Sequence, residues 1–126
     1  MTVPEPTIEE EGQFDTSEYD VELQEAASNL EVGTTLWFEN DRIRVWEVKL
    51  QPGERGPFHA HVTNYFWTVV EAGRGLQRSG DGSYMIRHYR LGETRYIEND
   101  PGEPLIHDLE NVGDSVLRFV TVELIS

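Results

Sequence analysis

The chain reads as an all-β protein. Three observations predict this. Short runs rich in Val, Ile, Thr and aromatic residues recur from residue 34 onward. Turn-forming residues break them at intervals typical of a sandwich or barrel. No 3.6-residue apolar period runs far enough to specify a long helix. At 126 residues a single domain is the expectation, and a chain of this size hides roughly two-thirds of its unfolded surface.

The strands follow from the breaks. Runs near 34–38, 42–50, 57–61, 65–71, 74–79, 83–91, 93–98, 104–109 and 115–124 are predicted as strands. The segments between them carry the chemistry of tight turns: Glu39-Asn40-Asp41, Gln51-Pro52-Gly53, Glu71-Ala72-Gly73, Ser79-Gly80-Asp81-Gly82, Asn99-Asp100-Pro101-Gly102 and Asn111-Val112-Gly113-Asp114. Residues 1–33 differ. Ten acids and no Lys or Arg occupy positions 1–31, and the first basic residue is Arg42. The formal charge of −14 is therefore concentrated in a leader, and 14 acids face 10 bases in the remainder. Two readings of the leader stand side by side. One is a partly disordered arm with a helical turn near 21–28. The other is an arm that lays Phe14 and Tyr19 on its own barrel or on a partner subunit.

Composition excludes several functions. A strongly acidic chain lacks the basic face that nucleic acid or an anionic membrane requires. No apolar run approaches the ~20 residues of a membrane helix. The leader has neither the basic start nor the apolar core of a secretory signal, so a cytoplasmic protein is expected. No cysteine is present. A metal would have to be held by His, carboxylate or Tyr. No phosphate-binding loop or nucleophile elbow appears, and Gly73-Arg74-Gly75 lacks the strand–loop–helix context of a nucleotide fingerprint.

The chemistry lies with four histidines. His59 and His61 are two apart, so on a strand both rings point to one face. The same face continues through Thr63, Tyr65, Trp67 and Val69. A third histidine would complete a facial cluster. His107, in the apolar run Pro104-Leu105-Ile106-His107, suits that role better than His88, whose arginine neighbours suggest an open surface. From spacing alone two readings stand, surface histidines or the start of a metal site, and the spacing does not favour the metal. Arg42 and Arg44 alternate with Trp46 and Val48. Arg44 is a candidate clamp for a substrate carboxylate if that face lines a cavity, and otherwise an ordinary strand-end ion pair. Arg87 and Arg90 read as surface pairs.

At these residues the sequence resembles the cupin superfamily. Pro52-Gly53, five further residues, then His59-Ala60-His61 and later Gly73 match the first cupin motif. His107, three residues and Asn111 match the end of the second. The resemblance covers about residues 35–124. It implies a double-stranded β-helix, a small jelly-roll barrel over 34–126, with a metal in its lumen bound by His59, His61 and His107. Two departures stand out. The motif's glutamate ligand falls where Tyr65 and Phe66 stand, and Glu71 lies too near a turn to replace it. The second motif is also lengthened around Pro101-Gly102-Glu103-Pro104.

A three-His site without carboxylate implies, by the same resemblance, either a dioxygenase or a lyase. It would use one divalent transition metal, Fe(II) in preference to Mn, Ni or Zn. Its substrate would be a small carboxylated or dicarbonyl-type molecule. Tyr65 is then the candidate acid/base, and Trp67, Phe58, Phe119 and Arg44 are candidate substrate contacts. The alternative is a non-catalytic cupin that binds or senses a small molecule. The resemblance further implies a homodimer, in which Phe14, Tyr19 and Leu23 would be buried by an exchanged arm.

Overall fold

In a computed structural model, which describes residues 3–100 and 102–126, two five-stranded antiparallel sheets enclose a lumen. The strands are β1 (Thr7–Gln13), β2 (Thr35–Glu39), β3 (Ile43–Leu50), β4 (Arg55–His61), β5 (Asn64–Glu71), β6 (Gly73–Arg78), β7 (Ser83–Tyr89), β8 (Thr94–Ile97), β9 (Leu105–Asn111) and β10 (Leu117–Leu124). One sheet has the order β1-β7-β6-β9-β4 and the other β2-β3-β10-β5-β8. All nine strands expected after residue 34 are present. Pro101, within one of the expected breaks, lies outside the described residues. No helix of the described residues is long and apolar enough to cross a membrane.

Alternation along each strand sets the two faces. On β10, Leu117, Phe119, Thr121 and Glu123 are buried, and the residues between them are only half-buried. The core of the lumen is Val69, Tyr89, Leu117 and Phe119, with Val48, Trp67 and Leu109 packed against it. Trp67, Tyr89 and Phe119 meet pairwise edge to face, at 5.0 to 5.7 Å between ring centres. That geometry places ring edges against the electron-rich faces. The lumen strand β6 begins with small residues because it is crowded. A Cβ at Gly75 would lie 2.8 Å from the Tyr89 ring and 3.1 Å from Leu109.

The leader is ordered along most of its length. Strand β1 pairs antiparallel with β7 and was not foreseen in the sequence. Its side chains are almost all exposed, so backbone pairing and surface contacts hold it: Glu9 with Arg74, and Glu10 with the Tyr84 hydroxyl. Asp15 then caps a 3₁₀ turn (Thr16–Tyr19) by accepting from the Ser17 amide at 3.0 Å, and the helix α1 (Asp20–Ala26) follows. Phe14 and Tyr19 pack on Phe58 of the same chain. Residues 29–34 cross from one sheet to the other. The Asn29 carbonyl accepts from Ala60 N–H, and Thr34 N–H donates to the Glu47 carbonyl. Gly33 permits the close crossing, because a Cβ there would meet Trp46 at 2.7 Å.

Candidate metal centre

The second motif begins the construction of the site. Asn111 is fully buried. Its amide donates to the carbonyls of Leu50 and Ser115, and its Oδ1 accepts from Gly113 N–H. Its backbone also closes the Gln51–Glu54 turn, whose Gly53 has a φ of 85°. One residue, by side chain and backbone together, thereby locks both turns that flank β4 and β9. A bulge lies between Gly56 and His59, and it sets His59 directly opposite His107 across the strand pair. Pro57, which has no N–H to give a ladder, sits inside that bulge.

Three histidines converge as a result. His61 Nε2 lies 3.1 Å from His59 Nε2 and 3.0 Å from His107 Nε2. His59 Nδ1 lies 2.9 Å from the Pro57 carbonyl. A carbonyl only accepts, so His59 carries its proton on Nδ1 and presents a bare lone pair at Nε2. The Nδ1 atoms of His61 and His107 are buried without a partner. All three rings are held neutral. Burial lowers the proton affinity of His59 and His61, and pushes His107 down to about 3. The neighbouring rings add to the effect at His61 and His107. Neutral, converging imidazoles are what a transition metal requires. Bonds of about 2.1 Å to one face of an octahedron set donors about 3.0 Å apart, close to the two separations that His61 makes, and all three donors lie within 4.8 Å of one another. The residues present therefore fit a metal.

The cluster opens into a cavity of about 380 Å³. Its walls are apolar (Val48, Trp67, Tyr89, Leu109 and Phe119), and Gln77 and Thr121 add an amide and a hydroxyl. The rim, where lining residues reach solvent, carries Glu31, Thr34, Lys49 and Glu54. Tyr65 is buried and its ring stacks on His61, with centres 3.8 Å apart and planes 10° from parallel. Burial raises its phenol well above the ordinary range, and nearby Tyr89 and Glu123 push the same way, so it stays protonated.

The structure brings Tyr65, Trp67 and Phe119 to this cavity with the three histidines. Two other candidates do not belong there. Phe58 points the opposite way from His59, as adjacent strand residues must, and lies under Phe14 and Tyr19. Arg44 does not line the cavity; it pairs with Glu39 at 2.9 Å, beyond the buried Trp46. Arg87 is a further correction. It is 4% exposed and ion-paired with an equally buried Glu93, with its guanidinium 4.2 Å from the Tyr89 ring centre. Glu71 is exposed, and so is His88. Sequence reasoning missed Gln77, Tyr89 and Thr121. Thr121 was findable, because it shares the face of Phe119 two residues away. Sequence reasoning also missed Glu123, a buried carboxylate that accepts from the Trp46 indole at 2.7 Å and whose proton affinity is raised by burial.

A polar cluster supports the histidines from the other side of the sheet. Asp108, next to His107, is fully buried and accepts from Arg55 Nε at 2.7 Å, from Arg78 N–H at 2.8 Å and from the Arg78 guanidinium at 2.9 Å. Arg55 also grips Glu22 of the leader with both terminal nitrogens.

Comparison with known proteins agrees with this architecture. A cupin domain from Bordetella pertussis superposes with a TM-score of 0.64 at 24% identity, over 73% of this chain and 91% of that one. The chain has the cupin fold. A double-stranded β-helix protein from Klebsiella pneumoniae matches at 22% identity and a TM-score of 0.57, over 81% and 85% of the two chains. A cupin-family protein from Methanocaldococcus jannaschii matches at 14% identity and 0.54, over 74% and 91%. No protein-family model and no curated protein matches the sequence. The cupin resemblance read at Gly53, His59, His61, His107 and Asn111 therefore extends to the fold over about three-quarters of the chain.

Proposed function

We propose that the cavity holds one divalent transition metal on His59, His61 and His107, Fe(II) in preference to Mn, Ni or Zn. On this reading the protein is a dioxygenase or lyase acting on a small carboxylated or dicarbonyl-type molecule. The observation that carries the proposal is the convergence of three neutral imidazoles at the polar end of an otherwise apolar cavity. Such a metal supplies Lewis-acid polarisation of a carbonyl, or a meeting point for substrate and dioxygen.

The chain's own residues do the rest. With no carboxylate in the cluster, an anionic chelating substrate supplies the negative charge that the site lacks. Trp67, Phe119, Tyr89 and Val48 enclose the body of a small, flat substrate and keep water from it. The Gln77 amide and the Thr121 hydroxyl are the hydrogen-bonding groups on those walls. Tyr65 keeps its proton, so it serves as hydrogen-bond donor or general acid rather than as base.

Metal content decides the first step. Protein purified without chelator and exposed to Fe(II), Mn(II), Ni(II) and Zn(II) should hold close to one metal per chain, and His59→Ala and His107→Ala should lose it. Wild type holding less than about 0.1 metal per chain would end the metal-enzyme reading. Oxygen uptake by the Fe(II) form with 1,3-dicarbonyls and small acids then separates dioxygenase from lyase. The absence of the motif carboxylate supports a second reading, a cupin that binds or senses a small molecule without turning it over. Tight ligand binding with no product from any substrate would favour it.

A further inference from the structure

Strand β4 carries His59 and His61 and lies at the edge of its sheet, next to β9 alone. No strand among the described residues pairs with its other side. Backbone groups alternate in direction along a strand, so those of His59 and His61 face β9 while those of Phe58 and Ala60 face the open edge. The leader supplies their partners. Phe58 N–H donates to the Glu22 carboxylate at 2.8 Å. The Phe58 carbonyl accepts from the Asn29 side-chain amide at 3.0 Å, and Ala60 N–H donates to the Asn29 carbonyl at 2.9 Å. His59 thus lies between two residues that the leader holds.

The bulge makes this grip specific. Pro57 and Phe58 together stand opposite the single residue Asp108, between the Gly56–Leu109 and His59–His107 pairs. A bulge disrupts the ladder locally. Pro57 has no N–H to place, and Phe58 N–H takes Glu22 instead of a strand. The residue opposite is reached as well. Glu22 receives both terminal nitrogens of Arg55, and Arg55 Nε donates to Asp108 at 2.7 Å. Glu22 therefore touches the chain neighbour of His59 directly and that of His107 through Arg55. Phe14 and Tyr19 close over the Phe58 ring, with ring centres 6.3 and 5.5 Å away.

We propose that, on the metal reading above, the leader is a positioning element of the metal centre, with Glu22 and Asn29 as its positioning residues. Neither residue lines the cavity. They act through the backbone on either side of His59. A metal site needs its donors held to within about 0.5 Å, and a strand edge without partners opens more readily. The bulge that sets His59 opposite His107 is thus maintained by residues outside both motifs. Such coupling is reciprocal, so a bound metal tightens the docking of the leader by the same factor.

Metal affinity of the full chain tests the proposal, read by competition with a chromophoric chelator for Zn(II) and by the visible spectrum of the Co(II) form. The Glu22→Ala/Asn29→Ala double variant should keep its fold, checked by circular dichroism at the assay temperature. It should bind Zn(II) at least about tenfold more weakly, the usual effect of losing a group that orients a ligand. Its Co(II) spectrum should also change, because ligand geometry sets the bands and a loss of stability in a folded chain does not move them. Glu9→Ala/Glu10→Ala removes leader contacts to Arg74 and Tyr84, which lie away from β4, and should leave both readouts at wild-type values. In wild type, saturating Zn(II) should slow hydrogen exchange at the Phe58 and Ala60 amides at least about tenfold, a measurement that needs no variant to fold. A wild type that binds no metal ends the metal reading and this proposal with it. If wild type binds metal but the double variant matches it in affinity and spectrum, or Zn(II) leaves exchange at those two amides unchanged, this proposal alone is overturned.

Discussion

Asn111 touches neither the cavity nor a metal ligand, yet the site depends on it. Its side chain bonds the end of β3 and the turn after β9, and its backbone closes the turn before β4. Asn111→Ala leaves the buried Leu50 carbonyl and the part-buried Ser115 carbonyl and Gly113 amide without their partner, at a cost of about 1–3 kcal/mol. A fall in thermal midpoint with loss of metal binding is expected, and an unchanged midpoint would separate the turns from the site. Tyr65 is the converse case. Its ring packs on His61, so Tyr65→Phe keeps the stack and removes only the hydroxyl. The variant should retain its metal and lose about 10²-fold in turnover, the usual worth of a positioned acid. Unchanged turnover would return Tyr65 to the core. Gly75→Ala should cost about 1–3 kcal/mol of stability by urea titration, because its methyl group collides with Tyr89 and Leu109.

Among the elements, the leader behaves unlike its composition. Ten acids with no base suggest a solvated tail, but the barrel meets them with arginines: Arg55 takes Glu22, Arg74 takes Glu9, and Arg90 and Arg95 take the carbonyls of Glu5 and Pro4. Helix α1 is only seven residues long and would not form alone. The Glu22–Arg55 pair, the Phe58 amide and the apolar contacts of Phe14 and Tyr19 hold it. The Arg55 guanidinium lowers the Glu22 pKa from its ordinary 4.5. The resulting stability is therefore fully present above about pH 4.5 and is lost as pH falls through the lower folded-state value. Wild type should exceed Glu22→Gln by about 1–2 kcal/mol at pH 7 in urea titrations, and the gap should close as acid protonates Glu22 in the folded state. A gap that persists in acid would show that the pair contributes through packing rather than charge. Because residues 31–34 line the rim that follows α1, the same variant should also raise proteolytic cleavage near residue 30.

At the scale of the whole molecule, charge and apolar surface are partitioned. The acids gather on the leader, and the outer β2–β8 face exposes Trp37, Phe38 and Tyr96 beside the Glu47–Arg118 pair and Glu71. On the homodimer that the resemblance implies, burial of exposed Trp37, Phe38 and Tyr96 by a second copy should raise thermal stability with concentration. Melting temperatures measured between about 2 and 200 μM check this. A concentration-independent value would mean that the face stays in solvent.

Much of this was legible in the linear chain. The strands were readable because Asn, Gly, Asp and Pro punctuate them, and local turn chemistry needs no tertiary information. The paired histidines were readable because a two-residue period places both rings on one face whatever the strand packs against. Other features were not local. Arg87 was misassigned because parity says which residues share a face, not which face is inside; Phe58 was misassigned against parity, which already sets it on the opposite face from His59. The bulge at Pro57 and the fate of Arg87 depend on partners 6 to 50 residues away. Strand β1 was invisible because its sequence is acidic and its side chains gain almost nothing by burial; the exposed edge of β7 recruits it. The sequence by itself determined an all-β barrel with a His59–His61 pair and a distant His107. Only the tertiary structure decided that the three rings meet, what lines their cavity, and which sheet is left bare. Those are properties of register and closure, and register is set by contacts between strands far apart in the chain.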